Sequence, residues 1–115
     1  MTGVLIVTHN KIGDEILKSA EMIVGQCLPC VQSIGIPGNL KPDELGLYAD
    51  QIKTAIDTLE KGDGVLILTD ITGATPSNLV NYFASDHQVK IISGLNLPML
   101  IRIINYSDQP LELLA

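Results

Sequence analysis

The chain has 115 residues, 46% of them hydrophobic and 17% charged, with 13 acidic against seven basic side chains for a net charge of -6. This is one domain of ordinary size, too apolar for disorder and long enough to bury a core without staples. The balance argues against a nucleic-acid partner: the few Lys and Arg form no stripe to neutralise phosphates, and three Tyr, one Phe and no Trp give bases no stacking platform.

The opening Met1-Thr2-Gly3 lacks the basic stretch of a signal peptide, and Thr2 stands where a myristoylation signal needs glycine. No apolar run approaches the ~18 residues of a membrane span. The expectation is a cytoplasmic protein with no membrane insertion. Residues 3 to 8 read as the first strand, in which Val4-Leu5-Ile6-Val7 runs straight into Thr8 and His9. A continuous apolar run of this kind suits a strand buried on both faces of a parallel sheet. The period then changes. Ile12, Ile16, Leu17, Ala20, Ile23 and Val24 fall at helical spacing, and Gly25 is a natural stop.

Cys27-Leu28-Pro29-Cys30 invites a redox reading, but the pair follows a helix, whose dipole opposes a thiolate. A zinc site needs about four ligands, and two His are all the chain adds to these cysteines. They read as reduced cysteines at a turn, and nothing calls for a metal or other cofactor. Residues 30 to 36 alternate, with Ser33 and Gly35 as breaks, and suggest a weaker strand at a sheet edge. After the Pro37-Gly38-Asn39 turn, a helix starts near Pro42-Asp43-Glu44. It carries Leu45, Tyr48, Ile52, Ala55, Ile56 and Leu59 on one face and ends at Lys61-Gly62.

Gly64-Val65-Leu66-Ile67-Leu68-Thr69-Asp70 repeats the design of the opening stretch, with Asp70 in the place of His9. The turn Ile71-Thr72-Gly73-Ala74 leads to Thr75-Pro76, an N-cap followed by proline at the first helical position. Leu79, Val80 and Phe83 give that helix its apolar face. Residues 89 to 94 form a short fourth strand. Asn96-Leu97-Pro98 opens a last helix with Met99, Leu100, Ile103 and Ile104, broken at Asp108-Gln109-Pro110. Arg102 reads as a surface residue on this helix, and His87 as a solvated loop residue.

The alternation of strands and helices predicts an α/β fold: a doubly wound, mostly parallel four-stranded sheet of order 2-1-3-4 with helices on both faces. In such a sheet the ligand crevice lies at the carboxyl ends of the adjacent first and third strands. His9 and Asp70 occupy those two ends. Taken singly, a His at a strand end is a hydrogen-bonding group and an Asp before a Gly turn is a turn former. Together they suggest a phosphoryl site. A neutral imidazole is a good nucleophile toward phosphorus, and a carboxylate on its other nitrogen fixes the tautomer and stabilises the charge that develops. Gly73, Ala74 and the helix start at Thr75 can offer the N–H donors that a phosphoryl group needs.

Three stretches carry a family resemblance. Ile6-Val7-Thr8-His9, Leu68-Thr69-Asp70-Ile71-Thr72-Gly73-Ala74-Thr75-Pro76-Ser77-Asn78 and Ile92-Ser93-Gly94-Leu95-Asn96-Leu97-Pro98-Met99-Leu100 resemble, in order and spacing, the IIA domain of the mannose family of the bacterial sugar phosphotransferase system. The likeness covers the whole chain, residues 1 to 115, as a single phosphotransfer domain. It implies that His9 accepts a phosphoryl group from HPr and passes it to a IIB component. It further implies that Asp70 pairs with His9, that Thr75 stands beside the phosphate, and that Gly73 and Ala74 form the small-residue turn. It also implies a homodimer and a sugar chosen by membrane components; with no IIB sequence after Ala115, the IIB partner is expected on a separate protein. Two positions depart from the family pattern: Asn10 follows the histidine where glycine is common, and Ala74 replaces a common second glycine. A dihydroxyacetone kinase subunit shares the fold and the histidine but differs in the loop after the third strand. A regulatory α/β module of the same fold would be marked by loss of His9 or Asp70, and both are present.

Overall fold

The computed structural model describes residues 2–25, 31–37, 42–60, 62, 64–70 and 89–105. Their elements are β1 (Gly3–His9), α1 (Ile12–Val24), β2 (Val31–Ile36), a 3-10 turn (Pro42–Glu44), α2 (Leu45–Leu59), β3 (Val65–Thr69), β4 (Val89–Ile92) and α3 (Leu97–Asn105). The four strands form one sheet of order β2-β1-β3-β4, parallel throughout. The expected fold is the observed one. The helix expected after Thr75-Pro76, with Leu79, Val80 and Phe83, lies outside the described residues.

The apolar runs explain the layering. Successive side chains of a strand point to opposite faces, so a run without polar breaks supplies two cores at once. On one face Leu5, Val7, Val65 and Ile67 pack with Ile52, Ala55, Ile56 and Leu59 of α2. On the other, Val4, Ile6, Leu66 and Leu68 pack with Ala20 of α1 and with Leu100 and Ile103 of α3. β2 has only its two ends buried, as suits an edge. Val31 and Ile36 differ in parity and join opposite cores.

The element bounds move slightly. β1 reaches one residue further, to include His9. The stretch from Pro42 begins as a 3-10 turn before α2 takes over, and α2 ends at Leu59, ahead of the expected stop at Lys61-Gly62. β3 is shorter than its apolar run, because Gly64 and Asp70 fall outside the ladder. β4 stops at Ile92, short of Ser93 and Gly94.

The helix read from Ile12 to Val24 is present, but its apolar residues are not equally covered. Ile12 and Ile23 share the helical period of Ile16, Leu17, Ala20 and Val24, yet they are 48% and 61% exposed. At about 100° per residue both fall just beyond Ile16, on the flank of the arc centred on Ala20. The sheet covers the arc and leaves the flank open. Arg102 is exposed, as expected.

Candidate functional site

The site begins as the ends of two buried strands. β1 and β3 are neighbours, in register with Val7 opposite Thr69. β2 lies outside β1 and β4 outside β3, so the winding reverses between the two central strands. The crevice of an open α/β sheet forms at that reversal, outside the carboxyl ends. His9 is the last residue of β1, and Asp70 directly follows β3.

The structure brings the two side chains together. Asp70 Oδ2 lies 2.8 Å from His9 Nδ1 and also accepts the His9 backbone N–H at 3.1 Å. One oxygen therefore holds both the ring and the backbone of the histidine. A carboxylate can only accept, so the proton of the neutral ring sits on Nδ1 and Nε2 keeps its lone pair. The His9 side chain is 29% exposed and that of Asp70 only 10%. The imidazole is thus open to a reactant while its partner is screened, and a screened partner interacts more strongly than one in bulk water.

Three arrangements around the strand ends support this pair. Thr8 is fully buried, and its Oγ1 accepts the Gly13 N–H at 2.8 Å. The first turn of α1 has unpaired N–H groups, and Lys11 at its N-cap makes no side-chain bond to them. Thr8 takes over that work from the strand. Thr8→Val is expected to leave the Gly13 N–H without an acceptor and to cost about 1–3 kcal/mol, whereas Thr8→Ser keeps most of the stability. Denaturant midpoints of the two variants check this.

Asn10 has φ of 47°, in the left-handed region, and donates its N–H to the Ile36 carbonyl at 2.9 Å. Asparagine tolerates this region better than most side chains, which accounts for a residue other than glycine after the histidine. On the far side, the Gly94 N–H donates to the Asp70 carbonyl at 3.0 Å and the Leu95 N–H to the Thr69 carbonyl at 2.9 Å. Gly94 turns the chain with φ of 82°, and Asn96 Oδ1 accepts the Met99 N–H at 2.9 Å to start α3. The Gly94–Asn96 segment therefore anchors the end of β3 and caps a helix in a few residues. Its glycine and asparagine signal a turn and a cap, but the anchoring of Asp70 is long-range and has no local sign.

The other expected site residues, Gly73, Ala74 and Thr75, lie outside the described residues, as do Cys27, Cys30 and His87. Among the described residues, no three His, Cys, Asp or Glu side chains gather to hold a metal ion, and no helix is long and apolar enough to cross a membrane.

Residues 3–111 match the family described as EIIA-man, PTS system fructose IIA component. The PTS system mannose-specific EIIAB component of Escherichia coli (strain K12) is 29% identical over 111 residues, covering 92% of this chain and 32% of the relative. The chain thus spans about a third of the length of that relative. The PTS system fructose-specific EIIA component of Bacillus subtilis (strain 168) is 26% identical over 109 residues, covering 94% of this chain and 72% of the relative. Among solved structures, the PTS IIA protein associated with the fucose utilization operon from Streptococcus pneumoniae matches with a TM-score of 0.84 at 27% identity, over 98% of this chain and 85% of the other. Component EIIA from Streptococcus agalactiae matches with a TM-score of 0.82 at 26% identity, over 99% and 86%. The family match runs from the first residue of β1 to beyond α3, and the chain belongs to the EIIA-man family of phosphotransferase-system IIA components.

Proposed function

We propose that this chain is a phosphocarrier, in which His9 accepts a phosphoryl group from phospho-HPr and passes it to a IIB component of a mannose-type sugar phosphotransferase system. The observation that carries the reading is the hydrogen bond between His9 Nδ1 and Asp70 Oδ2 at the sheet's switch point. It leaves Nε2 as the nucleophile. In the transfer, Nε2 forms a bond to phosphorus while the bond from phosphorus to its donor atom on HPr breaks. The Nδ1 proton stays in place, and the ring takes on positive charge that the Asp70 carboxylate offsets. Passing the group to the IIB component reverses these changes, so the carrier needs no cofactor.

Gly73, Ala74 and Thr75 would complete the site with N–H and hydroxyl donors to the phosphoryl oxygens, at the start of the helix expected after Thr75. The reading takes residues 1–115 as one IIA-like phosphotransfer domain, a cytoplasmic homodimer that works with HPr and a IIB component.

Incubation with phosphoenolpyruvate, enzyme I and HPr, followed by intact mass and peptide mapping, tests the proposal. One acid-labile phosphoryl group on His9 is expected. No adduct, or an adduct on His87 instead, overturns it.

A further inference from the structure

The chain turns sharply after His9 and folds back over β2. In the strand register, Thr8 is opposite Gly35 and His9 is opposite Ile36. The Asn10 N–H bonds to the Ile36 carbonyl, and the Asn10 carbonyl then comes down on Gly35. A Cβ at residue 35 would overlap that carbonyl oxygen, so the turn requires a bare Cα beneath it. Asn10 cannot easily move aside, because its φ of 47° lies in a narrow left-handed well for a residue with a side chain.

We propose that Gly35 is a positioning residue for His9, acting through the Asn10 peptide: the empty space at residue 35 lets the turn close and holds the imidazole against Asp70. The role in transfer rests on the phosphocarrier reading, whereas the coupling of Gly35 to the His9 ring does not. His9 is gripped on two sides. The Asp70 carboxylate holds its N–H and Nδ1, and the following peptide is pinned to the end of β2. A side chain at residue 35 pushes against the second grip. The Asn10 peptide lifts, its bond to Ile36 opens, and the ring loses its register with Asp70. Displacements of about 1 Å in a reacting group cost about a hundredfold in rate.

This account makes residues 10 and 35 a coupled pair. A side chain at residue 35 is tolerated if residue 10 can leave the left-handed well, which glycine does freely. Gly35→Ala, Asn10→Gly and the double variant form the test cycle. Two readouts are used: the rate of phosphoryl uptake from HPr, and the imidazole Nδ1–H signal of unphosphorylated His9 by NMR, which needs no transfer reaction.

Gly35→Ala is expected to slow uptake about a hundredfold and to weaken or shift the Nδ1–H signal. Asn10→Gly alone is expected to stay near the parent on both. The double variant is expected to recover at least about tenfold in rate over Gly35→Ala, with the signal restored. If Gly35→Ala does not fold, the same coupling requires that the double variant does. A Gly35→Ala protein with parental rate and signal overturns the proposal, and so does a double variant no better than Gly35→Ala. If the parent protein takes no phosphoryl group at all, the phosphocarrier reading fails, while the NMR signal still decides the coupling.

Discussion

Asp70→Asn is expected to slow phosphoryl uptake on His9 by about ten- to a hundredfold while leaving the protein folded. Asp70 Oδ2 accepts from both the backbone N–H and Nδ1 of His9. Asparagine has one accepting oxygen and one donating nitrogen. With its oxygen in the place of Oδ2 it still accepts from both donors, and its NH2 replaces only Oδ1, so the tautomer is kept. What is lost is the negative charge that offsets the charge gained by the ring on phosphorylation. The fold survives because the backbone carbonyl of Asp70, bonded to Gly94, is untouched.

Asp70→Ala removes the acceptor of both bonds together with the charge, so it is expected to slow transfer at least as much as Asp70→Asn. His9→Gln is expected to abolish the adduct, since glutamine puts no nucleophile in the place of the imidazole. Initial rates with excess phospho-HPr, alongside thermal melts, separate chemistry from folding. An Asp70→Asn protein that takes up phosphate at the parental rate would show that the carboxylate plays no part in transfer.

The same two strand ends show how much of this protein is legible in one dimension. Val4 to Val7 and Leu66 to Leu68 are unbroken apolar runs, and only a strand covered on both faces needs them. Once both runs are strands of one parallel sheet, the polar residues that end them must emerge on the same edge. His9 and Asp70 could therefore be paired across 61 positions before their distance was known. What could not be read was set by contacts without a local pattern. Thr8 looks like an ordinary strand residue until α1 folds back and places the Gly13 N–H above its hydroxyl. Gly35 looks like a weakness in an edge strand until the Asn10 carbonyl lands on it. Ile12 and Ile23 fit the helical period of α1, but periodicity gives a direction and not the width of the surface that covers it.

That last distinction leads to a large expected effect on stability. Ile67 is fully buried in β3, with Leu5 of β1 opposite on one side and Ile91 of β4 on the other. It packs in the α2 layer, among Leu5, Val7, Ile52 and Ile56. Truncation to alanine removes the transfer energy of three carbons and leaves a cavity that neighbours pinned by the sheet ladder cannot close. Ile67→Ala is therefore expected to cost about 2–5 kcal/mol. Domains of this kind have a total stability of about 5–15 kcal/mol, so the loss is a large fraction of the whole. Ile23→Ala makes the same chemical change on the open flank of α1, where the side chain is 61% exposed, and is expected to cost within about 0.5 kcal/mol. Helix propensity works in the same direction, since alanine is the better helix former. Urea unfolding of the two variants against the parent decides the matter. A wide gap in midpoint supports the layer assignment, and equal losses would mean that the flank of α1 is covered in solution.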